Sequence, residues 1–212
     1  LMKSHRTILY NYLSQKYNTD LGNLDYFHLD ENYASNIAGI GKESEVDYHA
    51  DAKGLGHLRV NKPTELNDGE YLMWADNGKE LNNWNAFALN ANNDLSFERS
   101  ELDWKFEETG EVGKVNVSIN ANELSAEYRY FFSVNEQVLP RAENDGWLIA
   151  QASTDSGTVL HLLRLPAETK FLNPVVYPNP INPLAQTLSF QLQVEKEETV
   201  ILKLFNTKGQ ML

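Results

Sequence analysis

Short runs in which apolar and polar residues alternate, separated by Gly, Asn and Asp, constrain this chain more than any other feature. In the clearest run, apolar residues stand at every second position, at Val115, Val117 and Ile119. Successive side chains of a strand point to opposite faces, so Asn116 and Ser118 then face the other way. The pattern predicts a strand with one buried and one wet face, and its recurrence favours a sandwich or barrel.

The alternation predicts eight strands before residue 166, at His57–Val60, Glu70–Ala75, Asn85–Leu89, Leu95–Phe106, Gly113–Ile119, Glu127–Val134, Gly146–Ala152 and Val159–Leu165. A helix is expected ahead of them, because five apolar residues recur there at helical spacings, namely Ile8, Leu9, Tyr12, Leu13 and Tyr17. Ser4 suits the N-cap, and Gly22 follows the exit. The predicted fold class is mainly β, a β-sandwich-like domain with one leading α-helix.

A composition shift near Pro166 divides the chain. Prolines cluster beyond it, at Pro174, Pro178, Pro180 and Pro183. Proline lacks the N–H that a β-ladder needs, so residues 166–174 are read as a linker. The linker separates a mainly β domain at residues 1–165 from a small β module at 175–212, in which apolar residues alternate again from Leu188 and from Val200.

Charge and composition exclude several classes of function. With 18 Lys and Arg against 30 Asp and Glu, the net charge is −12, which argues against a nucleic-acid partner. The chain has no cysteine, which removes disulfides, thiolate zinc sites and cysteine nucleophiles. Since the chain starts at Leu1-Met2, we read it as an excised C-terminal part of a larger protein.

The tail carries the most specific motif. Val176-Tyr177-Pro178-Asn179-Pro180 precedes paired alternating segments, which lead into Leu204-Phe205-Asn206-Thr207-Lys208-Gly209-Gln210. In order and spacing this resembles the type A C-terminal sorting domain of the Bacteroidota type IX secretion system, a small Ig-like β-sandwich. The closing strands of that family are missing here, so the module is expected to be its incomplete N-terminal part.

The resemblance implies that the chain belongs to a secreted protein of the bacterial cell surface, exported through the periplasm and outer membrane. Its implied partners are the outer-membrane translocon of the type IX system and its shuttle protein. The sorting-signal residues implied are Tyr177, Pro178, Asn179, Pro180, Asn206, Gly209 and Gln210. The resemblance implies no reaction, no cofactor and no metal.

The region at about residues 6–135 is similar to an uncharacterised β domain of large Bacteroidota surface proteins. The similarity rests on four segments, at Tyr12–Tyr17, Asn36–Gly41, Tyr71–Gly78 and Trp104–Gly110. Lys42 stands where Arg is more usual in that domain, and Ala75 where Gly is. This likeness implies surface display and, again, no reaction.

Three constellations could carry chemistry, and each has a structural reading that we favour. Asp47, His49 and Asp51 alternate and could offer oxygens to a hard cation, but a solvated loop is favoured. Gly39 and Gly41 lack the context of a phosphate-binding loop, so we expect a strand or bulge with close backbone approach. The five histidines form no HExxH motif or i, i+4 pair.

Acidic and aromatic residues leave two further possibilities open. The carboxylates at Glu98, Glu101, Asp103, Glu107 and Glu108 could supply a glycosidase pair, but a wet sheet face is favoured. Trp74, Trp84, Trp104 and Trp147 could stack on glycans, although alternation puts Trp104 and Phe106 in the core. Besides a type IX substrate, the sequence thus allows an adhesin or carbohydrate-binding β module, or an accessory domain of a larger secreted enzyme.

Overall fold

The computed structural model describes residues 2–27, 32–88 and 97–167, together with the backbone of two short strands further on. The chain divides into two compact units, Leu1–Ala167 and Glu168–Leu212. In the described parts of the chain, no helix is long and apolar enough to span a membrane.

One α-helix, α1, spans Lys3–Tyr17. The strands that follow, in chain order, are β1 (Ser35–Ser44), β2 (Asp47–His49), β3 (Asp51–Ala52), β4 (Arg59–Asn61), β5 (Glu70–Asp76), β6 (Trp84–Phe87), β7 (Phe97–Thr109), β8 (Lys114–Asn120), β9 (Tyr128–Val134), β10 (Gln137–Val138), β11 (Arg141–Asn144), β12 (Trp147–Ser153), β13 (Val159–Pro166), β14 (Val175–Tyr177) and β15 (Ser189–Gln191). Short 3-10 turns lie at Gly22–Leu24 and Ala121–Glu123.

The first unit is built from two antiparallel sheets within its described residues. The larger sheet has eight strands in the order β10-β9-β13-β7-β5-β1-β2, with β6 also paired to β7. The smaller sheet has five strands in the order β11-β12-β8-β4-β3. The expected fold class, mainly β with a sandwich-like domain and one leading helix, is confirmed. In the second unit, β14 pairs antiparallel with β15.

The core lies between the two sheets and follows the alternation of the sequence. The larger sheet contributes Trp74, Trp104 and Phe106, each at most 2 % exposed, to this core. From the smaller sheet it takes Val117 and its alternating neighbours on β8. The sequence expectation that Trp104 and Phe106 are core residues is confirmed, because both join this cluster.

The eight predicted strands all overlap observed ones. The agreement is closest at β5, β8, β9, β12 and β13, where each bound differs by one residue or none. β6 begins one residue before the predicted run, and β7 extends three residues past it. Leu89 and Leu95, which bounded two of the predicted runs, lie outside the described residues. Strand β1 was not among the predicted eight, because its central glycines hide the apolar alternation.

Helix α1 confirms the predicted helix but packs through a polar face. Ser4, Thr7, Asn11 and Ser14 are the buried residues, at spacings of three and four. Of the apolar residues noted in the sequence, Ile8 and Tyr12 pack against a small buried cluster that includes Phe27 and Met73. Leu9 and Tyr17 are instead 41 % and 67 % exposed. Small polar side chains therefore form the contact that holds the helix on the sheet.

The helix begins two residues before the sequence suggested, so the assignment of Ser4 as N-cap is wrong. Met2 occupies the N-cap and provides no side-chain hydrogen bond. Instead, Asp47 of β2 accepts hydrogen bonds from the backbone N–H groups of Lys3, at 2.7 Å, and Ser4, at 3.2 Å. A carboxylate from another element thus satisfies N–H groups that a helix leaves free in its first turn.

Candidate functional site

The smaller sheet carries an open groove on the face turned away from the core. Its strands alternate, so Val60, Val117 and Ala150 are buried while Asn61 and Asn116 point outward. The groove encloses about 560 Å³, and Tyr48 of β2 lines it as well. This volume lies within the range typical of small-molecule sites.

An ion pair between neighbouring strands fixes two of the groove's side chains. Arg59 donates from Nε to Asp51 Oδ1 at 2.7 Å and from its Nη2 to the other carboxylate oxygen. The hydrogen bonds from Arg59 lower the pKa of Asp51, and those to Asp51 raise the pKa of Arg59. Asn61 approaches the same carboxylate at 3.4 Å. Both charged groups are therefore held in place and neutralise each other.

Trp147 is the larger of the two aromatic residues that line the groove, the other being Tyr48. Its side chain is half-buried, and two cations flank its ring. The Arg59 guanidinium carbon lies 5.2 Å from the ring centroid, and Lys53 Nζ lies 5.6 Å from it. These distances allow cation–π attraction, which holds the ring on the sheet. The groove thus combines an anchored indole with fixed hydrogen-bonding groups.

The groove has little net charge although the chain is strongly acidic. Its charged lining residues are Arg59 and Lys62 against Asp51 and Asp145. The other polar lining residues are neutral and include Asn61 and Asn116. An aromatic surface beside amides and a fixed ion pair suits a ligand with many hydroxyl groups and no strong charge.

Asp47, His49 and Asp51 do not form the cation site that their alternation suggested. Asp47 faces helix α1, while His49 Nδ1 lies 2.9 Å from His5 Nε2. Asp51 belongs to the other sheet and pairs with Arg59. The chain crosses from the larger to the smaller sheet between His49 and Asp51, which breaks the alternation. Within the described residues, no group of three or more His, Asp or Glu side chains is arranged to hold a metal ion.

Acidic residues of β7 form hydrogen bonds and ion pairs with different partners. Glu98 accepts a hydrogen bond from Arg164 at 2.6 Å, and Glu101 accepts bonds from Asn83 and Asn85. Glu107 lies 3.2 Å from Lys105. None of these contacts sets two carboxylates across a cleft, as glycoside hydrolysis needs.

Ser133, His161 and Asp103 lie in register on β9, β13 and β7. His161 Nδ1 is 3.4 Å from Asp103 Oδ2. Ser133 is only 1 % exposed, so its hydroxyl is not accessible to a substrate carbonyl in this conformation. This cross-strand row gives no nucleophile of the Ser-His-Asp type.

Gly39 and Gly41 are explained by close packing within the larger sheet. Each lies directly opposite a large residue of β5, Met73 and Tyr71. A Cβ at Gly39 would lie 2.3 Å from the Met73 sulfur, and one at Gly41 would lie 2.3 Å from the Tyr71 ring. The expected close approach is therefore present, and it comes from a neighbouring strand.

The tryptophans and the sorting-signal residues proposed from the sequence lie in different parts of the chain. Trp74 and Trp104 are core residues, and Trp84 is half-buried with Arg164 stacked 4.3 Å from its ring centroid. Trp147 alone among the four tryptophans lines the groove. Of the sorting-signal residues, Tyr177 ends β14. Pro178, Asn179, Pro180, Asn206, Gly209 and Gln210 lie outside the described residues.

Sequence reasoning did not single out Tyr48, Arg59 or Asn61 as site residues. The wet face of β8 was predicted from alternation, and Asn116 confirms it. The signal for the others is weak, because β2, β3 and β4 are only two or three residues long. Their convergence depends on sheet pairing between distant segments.

Comparison with known proteins gives one family. Residues 7–159 match the family described as a domain of unknown function, DUF8202. No curated protein matches the chain, and no solved structure does. The matched range runs from helix α1 to the first residue of β13, which takes in the groove and ends before the prolines of the tail. The chain therefore belongs to the DUF8202 family.

Proposed function

We propose that this chain is a carbohydrate-binding β module of an exported cell-surface protein, and that the groove of the smaller sheet holds the glycan. One observation carries the proposal: an anchored indole, Trp147, lies beside outward amides and a fixed Asp51–Arg59 pair. Sugars present apolar ring faces and many hydroxyls, which such a combination recognises.

Glycan-array binding, followed by titration calorimetry on the polysaccharides that bind, tests this proposal. Trp147→Ala is expected to reduce affinity at least tenfold, because it removes the aromatic surface of the groove. The matched control is Tyr17→Ala, which removes an aromatic side chain that is 67 % exposed on helix α1. Equal binding by both variants, or no glycan bound by the unaltered protein, would contradict the proposal.

We further propose that the tail acts as a type IX sorting signal, recognised by the outer-membrane translocon and its shuttle. The support is the Tyr177-Pro178-Asn179-Pro180 motif, together with the Asn206 to Gln210 motif at the family's spacing. A strand pair, β14 with β15, begins at the same place. A strand edge offers unpaired N–H and C=O groups that a receptor strand can use.

Export of the complete parent protein tests the sorting proposal. The parent is followed with and without the residues from Asn173 onward, in hosts with and without a working type IX translocon. Surface display is expected only when both the tail and the translocon are present. Unchanged export after deletion of the tail would contradict it and would leave the glycan proposal untouched.

A further inference from the structure

A row of polar side chains crosses four strands of the smaller sheet in register. Asp51 of β3 lies opposite Asn61 of β4, which lies opposite Asn116 of β8, which lies opposite Gln151 of β12. The neighbouring row, Ala52, Val60, Val117 and Ala150, faces the core. The four polar side chains therefore share the outer face, and we call them the amide row.

The spacing of the amide row is set by the sheet. Neighbouring strands lie about 4.8 Å apart, so the row extends for about 14 Å across three intervals. The spacing between neighbouring strands is comparable to the length of one pyranose unit in an extended chain. A linear polysaccharide lying across the strands would therefore span the row with about three sugars, each lying between two neighbouring row members.

The row has hydrogen-bonding capacity left for a ligand. An Asn or Gln side chain offers two donors and one carbonyl acceptor. Neither Asn116 nor Gln151 makes a side-chain hydrogen bond to another described residue. Asn61 makes only a long contact, 3.4 Å, to Asp51. Hydroxyl groups of neighbouring sugars can take up these free donors and acceptors.

The charges of the groove exclude a strongly anionic or cationic chain as the best ligand. Asp51 is neutralised by Arg59, and the remaining lining charges, Lys62 and Asp145, balance each other. A groove whose lining charges balance suits the uncharged middle of a polymer better than a charged terminus.

We infer that the groove binds a linear, uncharged polysaccharide in mid-chain, with about three sugar units laid across the amide row. Asp51, Asn61 and Asn116 line the groove, and Gln151 extends the row beyond its lining on the same face. The inference rests on the proposed glycan-binding function and adds the class and orientation of the ligand to it. Trp147 lies four residues before Gln151 on β12, and its ring centroid is 5.2 Å from the Arg59 guanidinium carbon that pairs with Asp51. Its ring is therefore expected to contact a sugar that lies beside the row.

Calorimetry with oligosaccharides of increasing length tests the inference. The probes are β-1,4-linked gluco-, manno- and xylo-oligosaccharides of one to six units, with a hexasaccharide of polygalacturonate as the anionic comparison. We expect affinity to rise at least tenfold from one unit to three, to level off by four, and to be at least tenfold weaker for the anionic chain.

Two row variants sharpen the test. Asn116→Ala, in the middle of the row, is expected to weaken binding of every chain longer than one unit. Gln151→Ala, at its end, is expected to shorten by one unit the length at which affinity levels off. Asn23→Ala, which removes an exposed amide outside the sheet, serves as the control. Circular dichroism and the unfolding midpoint verify that each variant folds.

The outcomes separate the two proposals. If a single sugar binds as tightly as the hexasaccharide, or the anionic chain binds best, the mid-chain inference is wrong and glycan binding still stands. If no neutral series binds while other glycans bind on the array, the inference is likewise overturned. If no glycan binds at all, both proposals fail.

Discussion

The two sheets of the sandwich use polar side chains on their outer faces in opposite ways. On the larger sheet, helix α1 presents Asn11, whose carbonyl oxygen accepts hydrogen bonds from the backbone N–H groups of Tyr26, at 2.7 Å, and Phe27, at 3.1 Å. On the smaller sheet, the side chain of Asn116 has no such partner among the described residues. An amide that is satisfied internally is structural, whereas an outward amide with free hydrogen bonds is available for a ligand.

Substitutions on the covered face of the larger sheet and on the open face of the smaller sheet are therefore expected to have different effects. The covered face includes buried polar groups whose loss leaves neighbouring donors without partners, so substitutions there are expected to reduce the free energy of unfolding. The open face adds less to folding, so substitutions there are expected to reduce ligand affinity more than the free energy of unfolding.

A pair of tryptophans gives the largest expected difference. Trp104→Ala is expected to lower the free energy of unfolding by about 4 kcal/mol, because it empties a site that is 1 % exposed between the sheets. Trp147→Ala should lower it by only about 1–2 kcal/mol, from two cation–π contacts of about 0.5–1 kcal/mol each. Urea denaturation measures both. Similar losses for the two variants would show that the open face is part of the core.

A second pair probes the polar contact of the helix. Asn11→Ala is expected to lower the free energy of unfolding by about 3 kcal/mol, because the buried N–H groups of Tyr26 and Phe27 lose their acceptor. Tyr10→Ala, one residue away and 45 % exposed, should change it by less than about 0.5 kcal/mol. Chemical denaturation compares the two, and equal midpoints would mean that the helix is held by its apolar side chains instead.

The glycine–tyrosine packing of the larger sheet gives a smaller effect. Gly41→Ala is expected to cost about 2 kcal/mol, because the new Cβ would lie 2.3 Å from the Tyr71 ring and force it to move. In the double variant Gly41→Ala/Tyr71→Ala the losses should be less than additive. Strictly additive losses in thermal and urea unfolding would show that the two residues do not compete for the same space.

The smallest effect is a pH dependence at the join of helix and sheet. Burial lowers the pKa of His49, and the nearby His5 lowers it further, while Asp51 opposes the change. Because the pKa is lower in the folded chain, the unfolded chain binds more protons as the pH falls through about 6.5. The free energy of unfolding should therefore decrease on acidification from pH 7.5 to 5.5.

The contribution of His49 is expected to be less than about 1 kcal/mol, since water screens a half-exposed imidazole. His49→Gln should reduce the slope of unfolding free energy against pH in this window. A slope that does not change in urea titrations at several pH values would assign the dependence to other groups.

Much of the fold was predictable because strands such as β8 and β12 alternate over seven residues. The strands that escaped prediction are those whose periodicity is too short or interrupted. Strands β2, β3, β10 and β11 have two to four residues, and β1 contains Gly39 and Gly41. Such segments are placed by their partners and not by their own pattern.

The candidate site was predictable only in part. Alternation identified Asn116 as outward, and the tryptophans were noted as aromatic candidates. The amide row needed the pairing of residues about 10, 55 and 35 positions apart, which no local pattern records. The false cluster at Asp47, His49 and Asp51 has the same origin, because the chain changes sheets at Ala50.

Strand β2 joins the two faces through consecutive side chains. Asp47 caps helix α1, and Tyr48, the next residue, lines the groove. We therefore expect an occupant that restricts Tyr48 to stabilise the helix, and by reciprocity the helix then adds the same free energy to the affinity of the groove. This thermodynamic reciprocity should be visible in hydrogen exchange: the backbone amides of helix α1 should exchange more slowly when the groove is filled, although no ligand atom touches them.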